Sequence, residues 1–391
     1  MADHIGLYCS YAWHGMYISP NGNMSSCCDQ TVDGVNSSTH TITQAYHSKQ
    51  FNSIRERLLR GVEVPECEKC WRKERVGLPS SRTNNINWVP SLPMQSQSEL
   101  DTTHISMWDI RDNNLCNMSC RMCGTYCSSL WNKEALDNKD NSNYTIRFPA
   151  GDSVVTKKND QEKILQTFRD NLEHCTLVYF AGGEPLINDT HWKILDIILE
   201  AGRTDIFLRY NTNLLKTTYR GRDAIDIWGQ FDHTPGVSVS IDAIGDRAEY
   251  SRTGTVWKTI DNNLRRTVKL YPDLQISITP SILTLAGLTE TIDYCIDIGV
   301  KPDKIFYTNV VYTPMYLCAN LLPKSVKQHY LKQLESYSID GYEQLKAVLD
   351  TEGNSLDRAK FVKFTRELDA VRNTSIAIGA PELEKYMDSW A

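Results

Sequence analysis

Between residues 104 and 310 the chain alternates short apolar runs with amphipathic stretches, and no other feature narrows its fold as far. Strand-like runs fall at residues 104–110, 178–181, 206–210, 237–241, 276–282 and 304–310. Helical patterns fall between them at 163–172, 192–201, 224–228, 257–270 and 288–298. In the second of these, Ile194, Leu195, Ile197 and Ile198 mark a buried face. Strands that alternate with helices predict parallel βαβ units. Eight units would close a barrel, whereas six predict an open or partial one. Beyond Pro323 the strand signal stops, and residues 325–336, 342–350 and 359–371 read as helices. The expected architecture is α/β: a partial (β/α)6 barrel over residues 101–322, a cysteine-rich region and linker over 1–100, and a helical appendage over 323–391. Residues 78–101, rich in Ser, Asn, Pro and Gln, read as the linker.

A chain of 391 residues has room for about two to three domains and a large core. Its 41% hydrophobic and 23% charged residues are those of an ordinary globular protein. That composition excludes a disordered, collagen-like or small disulfide-stapled chain. The net charge of −6 weighs against a surface built to grip a polyanion. One basic neighbourhood exists near Cys67, formed by Arg55, Arg57, Arg60, Arg72, Lys73 and Arg75, and reads as a solvated helix face. The N-terminal MADHIGLYCS lacks a basic stretch followed by an apolar run, and no 18 consecutive residues are apolar. A cytoplasmic protein that does not enter the membrane is expected, in a compartment where clustered cysteines serve as metal ligands or redox groups.

Nine of the twelve cysteines lie in the first third of the chain, in two groups; Cys175, Cys295 and Cys318 are scattered singly. The central group follows the first strand-like run as Cys116-x3-Cys120-x2-Cys123. Three thiolates on one tight loop can bind three irons of a four-iron cluster, which leaves the fourth iron open to a substrate or cofactor. The competing reading is a zinc knuckle completed by Cys127. Structural zinc sites, however, are usually closed by two pairs of ligands. Cys127 otherwise reads as a buried thiol on the following helix.

With this spacing directly after a first strand, the sequence resembles radical S-adenosylmethionine (SAM) enzymes. Asn117 is typical of that family's loop, and Met122 departs from its usual aromatic residue. At the end of the second strand stands Ala181-Gly182-Gly183-Glu184-Pro185. Alone this is a strand-to-helix turn. In the family it holds the amino group of SAM, so the resemblance gives Gly182, Gly183, Glu184 and Pro185 that role, through close backbone approach and hydrogen-bond acceptors. Thr212 and Asn213 end the third strand, where Leu214 replaces the family's glycine; Ser240 and Asp242 end the fourth. The resemblance assigns these four to the SAM ribose or methionine, and Arg252 to its carboxylate. Each also reads as a solvated strand end or a helix cap. The family's fifth-strand glycine element has no clear counterpart, so the adenine contacts are unassigned.

In the N-terminal group, Asn21-Gly22 predicts a hairpin with Cys27 just beyond it. Cys9, one of Cys27 or Cys28, Cys67 and Cys70 make a four-thiolate set that suits zinc or a fully ligated iron–sulfur cluster. Their pattern is similar to the SPASM/twitch auxiliary-cluster region of radical SAM enzymes, which usually follows the barrel and here precedes it. By that resemblance the set holds one auxiliary [4Fe–4S] cluster, with Cys27 chosen because Gly22 to Cys27 matches the family's Gly-x4-Cys step. Cys318 is an outside candidate.

The resemblance implies SAM and a [4Fe–4S] cluster on Cys116, Cys120 and Cys123. It also implies reductive cleavage of SAM to a 5′-deoxyadenosyl radical, hydrogen abstraction from a substrate, and an electron donor such as flavodoxin or ferredoxin. SPASM/twitch relatives most often act on peptides, which makes a peptide the leading substrate class. A nucleotide, nucleic acid or small metabolite is the alternative, and a non-enzymatic zinc scaffold a third. No residue reads as a catalytic acid or base. Tyr307, Tyr312 and Tyr316 could be redox-active, although aromatic packing explains them as well.

Overall fold

The computed structural model describes residues 9–75, 77, 80–85, 105–146, 160–307 and 309–391. Most of the linker read at 78–101 lies outside the described residues, as does the start of the first strand-like run. In chain order the strands are β1 (Gly15–Ile18), β2 (Met24–Ser25), β3 (Met107–Ile110), β4 (Ser119–Cys120), β5 (Leu177–Phe180), β6 (Phe207–Thr212), β7 (Thr218–Tyr219), β8 (Arg222–Asp223), β9 (Gly236–Ser240), β10 (Arg252–Thr253), β11 (Gln275–Ser277) and β12 (Ile305–Phe306). The chain divides into two compact units. The first comprises Met1–Asn114, Val155–Arg209 and Gly229–Pro235; the second comprises Leu115–Val154, Tyr210–Trp228 and Gly236–Ala391.

In the first unit the strands run in the order β6, β5, β3, β1, β2, with the first half of β6 belonging here. β3 pairs in parallel with β5, Asp109 opposite Tyr179. β1 pairs in parallel with β3, Tyr17 opposite Asp109, and antiparallel with β2. The hairpin expected at Asn21-Gly22 is thus present. Its first strand also joins the parallel sheet, a pairing that four residues of sequence gave no means to foresee. Apolar side chains alternate along β5 and β6: Val178, Phe180 and Leu208 are buried, and their neighbours Tyr179 and Arg209 are only partly so. The helix Asp189–Glu200 buries Ile194, Leu195, Ile197 and Ile198 as its spacing predicts, and Asn188 caps it by accepting from the Thr190 amide. Phe168, fully buried, meets Trp108 edge-on at 5.4 Å between ring centroids. Phe168→Ala is expected to cost about 3–5 kcal/mol in chemical denaturation, by lost burial and a residual cavity. A cost below about 1 kcal/mol would mean that this packing is not what holds the helix to the strand.

In the second unit β9, β11 and β12 pair in parallel, with Val239 opposite Ile276 and Ile276 opposite Ile305. β11 is shorter than the run read at 276–282. Pro280, which has no amide hydrogen to give a ladder, follows within three residues of its end. The helix Trp257–Leu270 has the expected bounds and buries Ile260, Leu264, Thr267 and Val268. The helices Lys324–Leu334, Tyr342–Leu349 and Ser355–Arg372, followed by the short helix Ile376–Gly379 and the 3-10 turn Pro381–Tyr386, form the C-terminal region. The α/β expectation holds in both units, with parallel strands joined through helices. Among the described residues no helix is long and apolar enough to cross a membrane.

Candidate functional site

The central cysteines of the second unit lie on a loop tied down by backbone hydrogen bonds. Cys120 sits in β4, which forms a two-residue antiparallel ladder with β10: Cys120 faces Arg252, and Ser119 faces Thr253. The Cys120 carbonyl accepts from Trp131 Nε1 at 2.8 Å, and the Cys123 amide donates back to the Cys120 carbonyl at 2.9 Å. The Cys116 amide donates to Ser129 Oγ at 3.2 Å. All three thiols are half-buried. Cys127 departs from the expectation of a buried thiol on the next helix: it is half-buried and sits in the turn before it. Ser128 caps that helix by accepting from the Trp131 amide, so the helix starts only at Ser129. A hydrogen bond with Cys127, together with burial, pushes the Cys123 thiol well above its ordinary pKa.

Five of the SAM candidates, Thr212, Asn213, Ser240, Asp242 and Arg252, stand in this unit. Asp242, almost fully buried, accepts from Arg252 Nη1 at 2.7 Å with one oxygen and from the Thr279 amide at 2.7 Å with the other. Arg252 Nε is buried with no hydrogen-bond partner among the described residues. Burial opposes the Arg252 charge, but Cys120, Asp242 and Cys116 outweigh it and raise its pKa. Asn213 Nδ2 donates to Asn117 Oδ1 at 2.7 Å, so the third strand end and the cysteine loop are joined directly. Thr212 Oγ1 accepts from the Leu214 amide. Leu214, which stands where the family has glycine, adopts a left-handed φ of 56°, a conformation that strains a residue with a Cβ. Ser240 closes β9, half-exposed.

The Gly182-Gly183-Glu184-Pro185 turn belongs to the first unit. Gly182 has φ 93°, and a Cβ there would sit 3.1 Å from the Arg111 side chain, so both conformation and space call for glycine. Glu184 is buried and accepts from the Leu186 amide at 3.1 Å, capping the short turn Pro185–Ile187. Beside this turn the structure adds residues that the sequence reading did not name. Asp109 and Arg111 form a two-pronged pair at 2.8 Å. Arg111 lies over the rings of Tyr17 and Tyr179, and Arg209 over Tyr179. The signal was available: Asp109 interrupts an apolar strand whose neighbours are all buried. Of these, Asp109, Tyr179 and Arg209 line a cavity of about 130 Å³ whose walls also include Tyr11, Cys27 and Cys28.

A second, smaller cavity in the same unit is walled by Cys9, Cys27, Cys67 and Cys70 together with Asp29, Gln30 and Arg82. All four thiols of the auxiliary set are thus on one cavity. Cys28 instead faces Asp109 and Arg111 in the larger cavity. Burial raises Cys9 to about 12 and Cys67 to about 11, each thiol further opposed by its neighbours in the set. A bound cation reverses that preference, because it favours the thiolate. Gln30 Nε2 donates to Cys67 Sγ at 3.5 Å, the kind of hydrogen bond that orients a ligand sulfur. Among the described residues no three His, Cys, Asp or Glu side chains meet closely enough to hold a single ion. A four-iron cluster makes a different demand, since each thiolate binds its own iron, and four thiols spread round a cavity fit it. Cys318 is not on this cavity. The basic neighbourhood is a solvated face in part: Arg60, Arg72, Lys73 and Arg75 are exposed, Arg57 and Arg75 are paired with Glu66, Glu63 and Glu68, and Arg55 departs from it, buried with Nε on the Ala12 carbonyl at 2.7 Å.

Comparison with known proteins bears on both cysteine groups. The radical SAM superfamily model matches residues 110–300, and the SPASM iron–sulfur cluster-binding domain model matches residues 9–71. The chain belongs to the radical SAM superfamily. Its SPASM-type region stands at the N-terminal side of the radical SAM domain, the order expected from the sequence. The cofactors of this radical SAM protein are SAM and a [4Fe–4S] cluster, with further iron–sulfur binding in the SPASM region. Among solved structures, it is similar to native anSMEcpe with bound AdoMet (14% identity, TM-score 0.40, 59% of each chain covered). It is also similar to Streptococcus suis SuiB bound to the precursor peptide SuiA (10% identity, TM-score 0.40, 84% of this chain and 72% of that one). A third is TYW1 with a lysine-pyruvate adduct (14% identity, TM-score 0.30, 60% and 72% covered). The chain therefore spans 59% of the first of these. No curated protein matches it.

Cys27 and Cys28, in the turn just after β2, are separable by experiment. Cys27→Ser is expected to remove the auxiliary iron, whereas Cys28→Ser keeps it, as read by iron and sulfide per chain after anaerobic reconstitution. The opposite pattern would move the fourth ligand to Cys28.

Proposed function

We propose that this chain is a radical SAM enzyme that modifies a peptide, with Cys116, Cys120 and Cys123 holding the SAM-binding cluster and Cys9, Cys27, Cys67 and Cys70 an auxiliary one. When bound, SAM and the reduced cluster supply a carbon-centred radical able to take hydrogen from an unactivated C–H bond. The chain's own residues orient and enclose. Arg252 Nε, a buried donor beside Cys116 and Cys120 without a partner among the described residues, supports its role toward the SAM carboxylate. Asp242 fixes that guanidinium in place. Gly182, Gly183, Glu184 and Pro185 receive the amino group, and Thr212, Asn213 and Ser240 the ribose or methionine.

The observation that carries the substrate reading is Cys27, which lines both the four-thiol cavity and the larger one beside Asp109 and Arg209. A substrate group held by Asp109, Tyr179 and Arg209 would lie next to the auxiliary cluster and could pass an electron to it. A volume of about 130 Å³ suits one amino-acid side chain, with the rest of a peptide outside. A flavodoxin or ferredoxin would supply the electron for SAM cleavage. Nucleic acid is disfavoured by the net charge of −6 and because half of the basic residues near Cys67, Arg55, Arg57 and Arg75, are buried or paired. The domains are residues 1–100, 101–322 and 323–391.

The test is 5′-deoxyadenosine formation by the reconstituted protein in the presence of a strong reductant and pooled peptides, read beside peptide mass spectra. The reading expects faster formation with peptides and a peptide that loses a pair of hydrogens or gains an internal cross-link. Stimulation by nucleotides, with none by peptides, would overturn the substrate class.

A further inference from the structure

We propose that the C-terminal helix Ser355–Arg372 is a positioning element of the radical SAM cluster, and that Arg372 and Asp369 fix the strand carrying Cys120. The proposal rests on the reading of Cys116, Cys120 and Cys123 as cluster ligands. It concerns a region beyond the residues that the radical SAM family model matches.

The last turn of this helix holds both strands of the β4–β10 ladder. Arg372 Nη1 donates to the Ser119 carbonyl and to Thr253 Oγ1, both at 2.9 Å. Those residues face each other in the ladder, next to Cys120 and Arg252. The same guanidinium is held by Glu134 through Nε at 2.8 Å and Nη2 at 3.2 Å. It lies 4.4 Å over the Trp131 ring, whose Nε1 donates to the Cys120 carbonyl. One turn earlier, Asp369 accepts from Arg121 Nη2 at 2.5 Å and from Tyr250 OH at 3.2 Å. Arg121 stands between Cys120 and Cys123, and its own Nε and amide donate to the carbonyls of Tyr250 and Ser251. Two arginines with buried side chains, one on the helix and one in the loop, thus hold the backbone on either side of Cys120, through the carbonyls of Ser119, Tyr250 and Ser251.

Simple adhesion of the helix does not call for this. Phe361, Val362, Phe364 and Leu368 already supply its apolar face. A buried ion pair gains little stability over an apolar replacement, because desolvation offsets its attraction. What such a network adds is geometry, and residues that orient a metal ligand commonly change metal affinity about 10–100-fold when removed.

The experiment uses the full chain, reconstituted anaerobically, as wild type, Arg372→Leu, Arg372→Lys and Cys116→Ala/Cys120→Ala/Cys123→Ala. Iron release to a chelator is followed, together with the electron paramagnetic resonance signal of the reduced protein with and without SAM. The triple variant defines the auxiliary iron. Expected is a loss of triad iron about 10–100-fold faster in Arg372→Leu, a smaller acceleration in Arg372→Lys, unchanged auxiliary iron, and a diminished SAM-induced spectral change. Wild-type release and spectra in Arg372→Leu, even with a lowered melting temperature, would overturn the proposal and leave the helix a packing element. If Arg372→Leu does not fold, Thr253→Val removes one of the contacts and is read the same way. A wild type with no more iron than the triple variant would overturn the ligand assignment itself, and the proposal with it.

Discussion

Replacing Cys116, Cys120 and Cys123 together by alanine is expected to reduce 5′-deoxyadenosine formation to the level without protein, while the auxiliary iron stays. The reason is coordination. Each thiolate binds one iron of the cluster, and the fourth iron is open because the loop offers no fourth ligand in line. Cys127 is the residue that could spoil this argument, since it contacts Cys123. Cys127→Ala is therefore the matched control, and it should keep most of the activity. If the triple variant cleaves SAM as wild type does, or if Cys127→Ala is as inactive as the triple variant, the assignment of the triad fails.

Asp242→Ala is expected to destabilise the protein by about 3–5 kcal/mol, because it strands the Arg252 charge in a site where Asp242 is almost fully buried. Against a typical stability of about 5–15 kcal/mol this is a large fraction. The cost should fall when both members are replaced, as in Asp242→Ala/Arg252→Met, since the unpaired charge is then gone. Chemical denaturation of the cluster-free protein reads both. A single-variant cost below about 1 kcal/mol, or a double variant no better than the single, would show that solvent screens this pair. It would then not be a rigid part of the site.

Much of the site was legible because its chemistry is local in sequence. Cys116, Cys120 and Cys123 lie within one loop, and Gly182 to Pro185 within one turn, so spacing alone displays them. The strands and helices were legible where apolar periodicity is strong, as in residues 257–270. The strand Gly15–Ile18 was not, because a four-residue element depends on its partner Met107–Ile110, ninety residues away in the chain. Of the Asp109–Arg111 pair and its tyrosines, only Asp109 carries a sequence signal, as the charged break in an apolar strand; the others are ordinary in their own segments and come together only when the strands align. Arg372 is the extreme case. Nothing in the sequence of a surface-like helix end connects it with Ser119, more than two hundred residues earlier. Leu214 shows the reverse, a position where sequence flagged a departure and the backbone kept the left-handed turn regardless.

The central claim is that two cysteine groups carry two iron–sulfur clusters, one of them open to SAM. Iron, acid-labile sulfide and zinc are counted per chain in the anaerobically reconstituted protein, with the electron paramagnetic resonance spectrum recorded before and after SAM. Two four-iron clusters predict about eight irons and about eight sulfides per chain, with a spectrum that changes on adding SAM. Zinc in place of iron, no sulfide and no response to SAM would contradict the account.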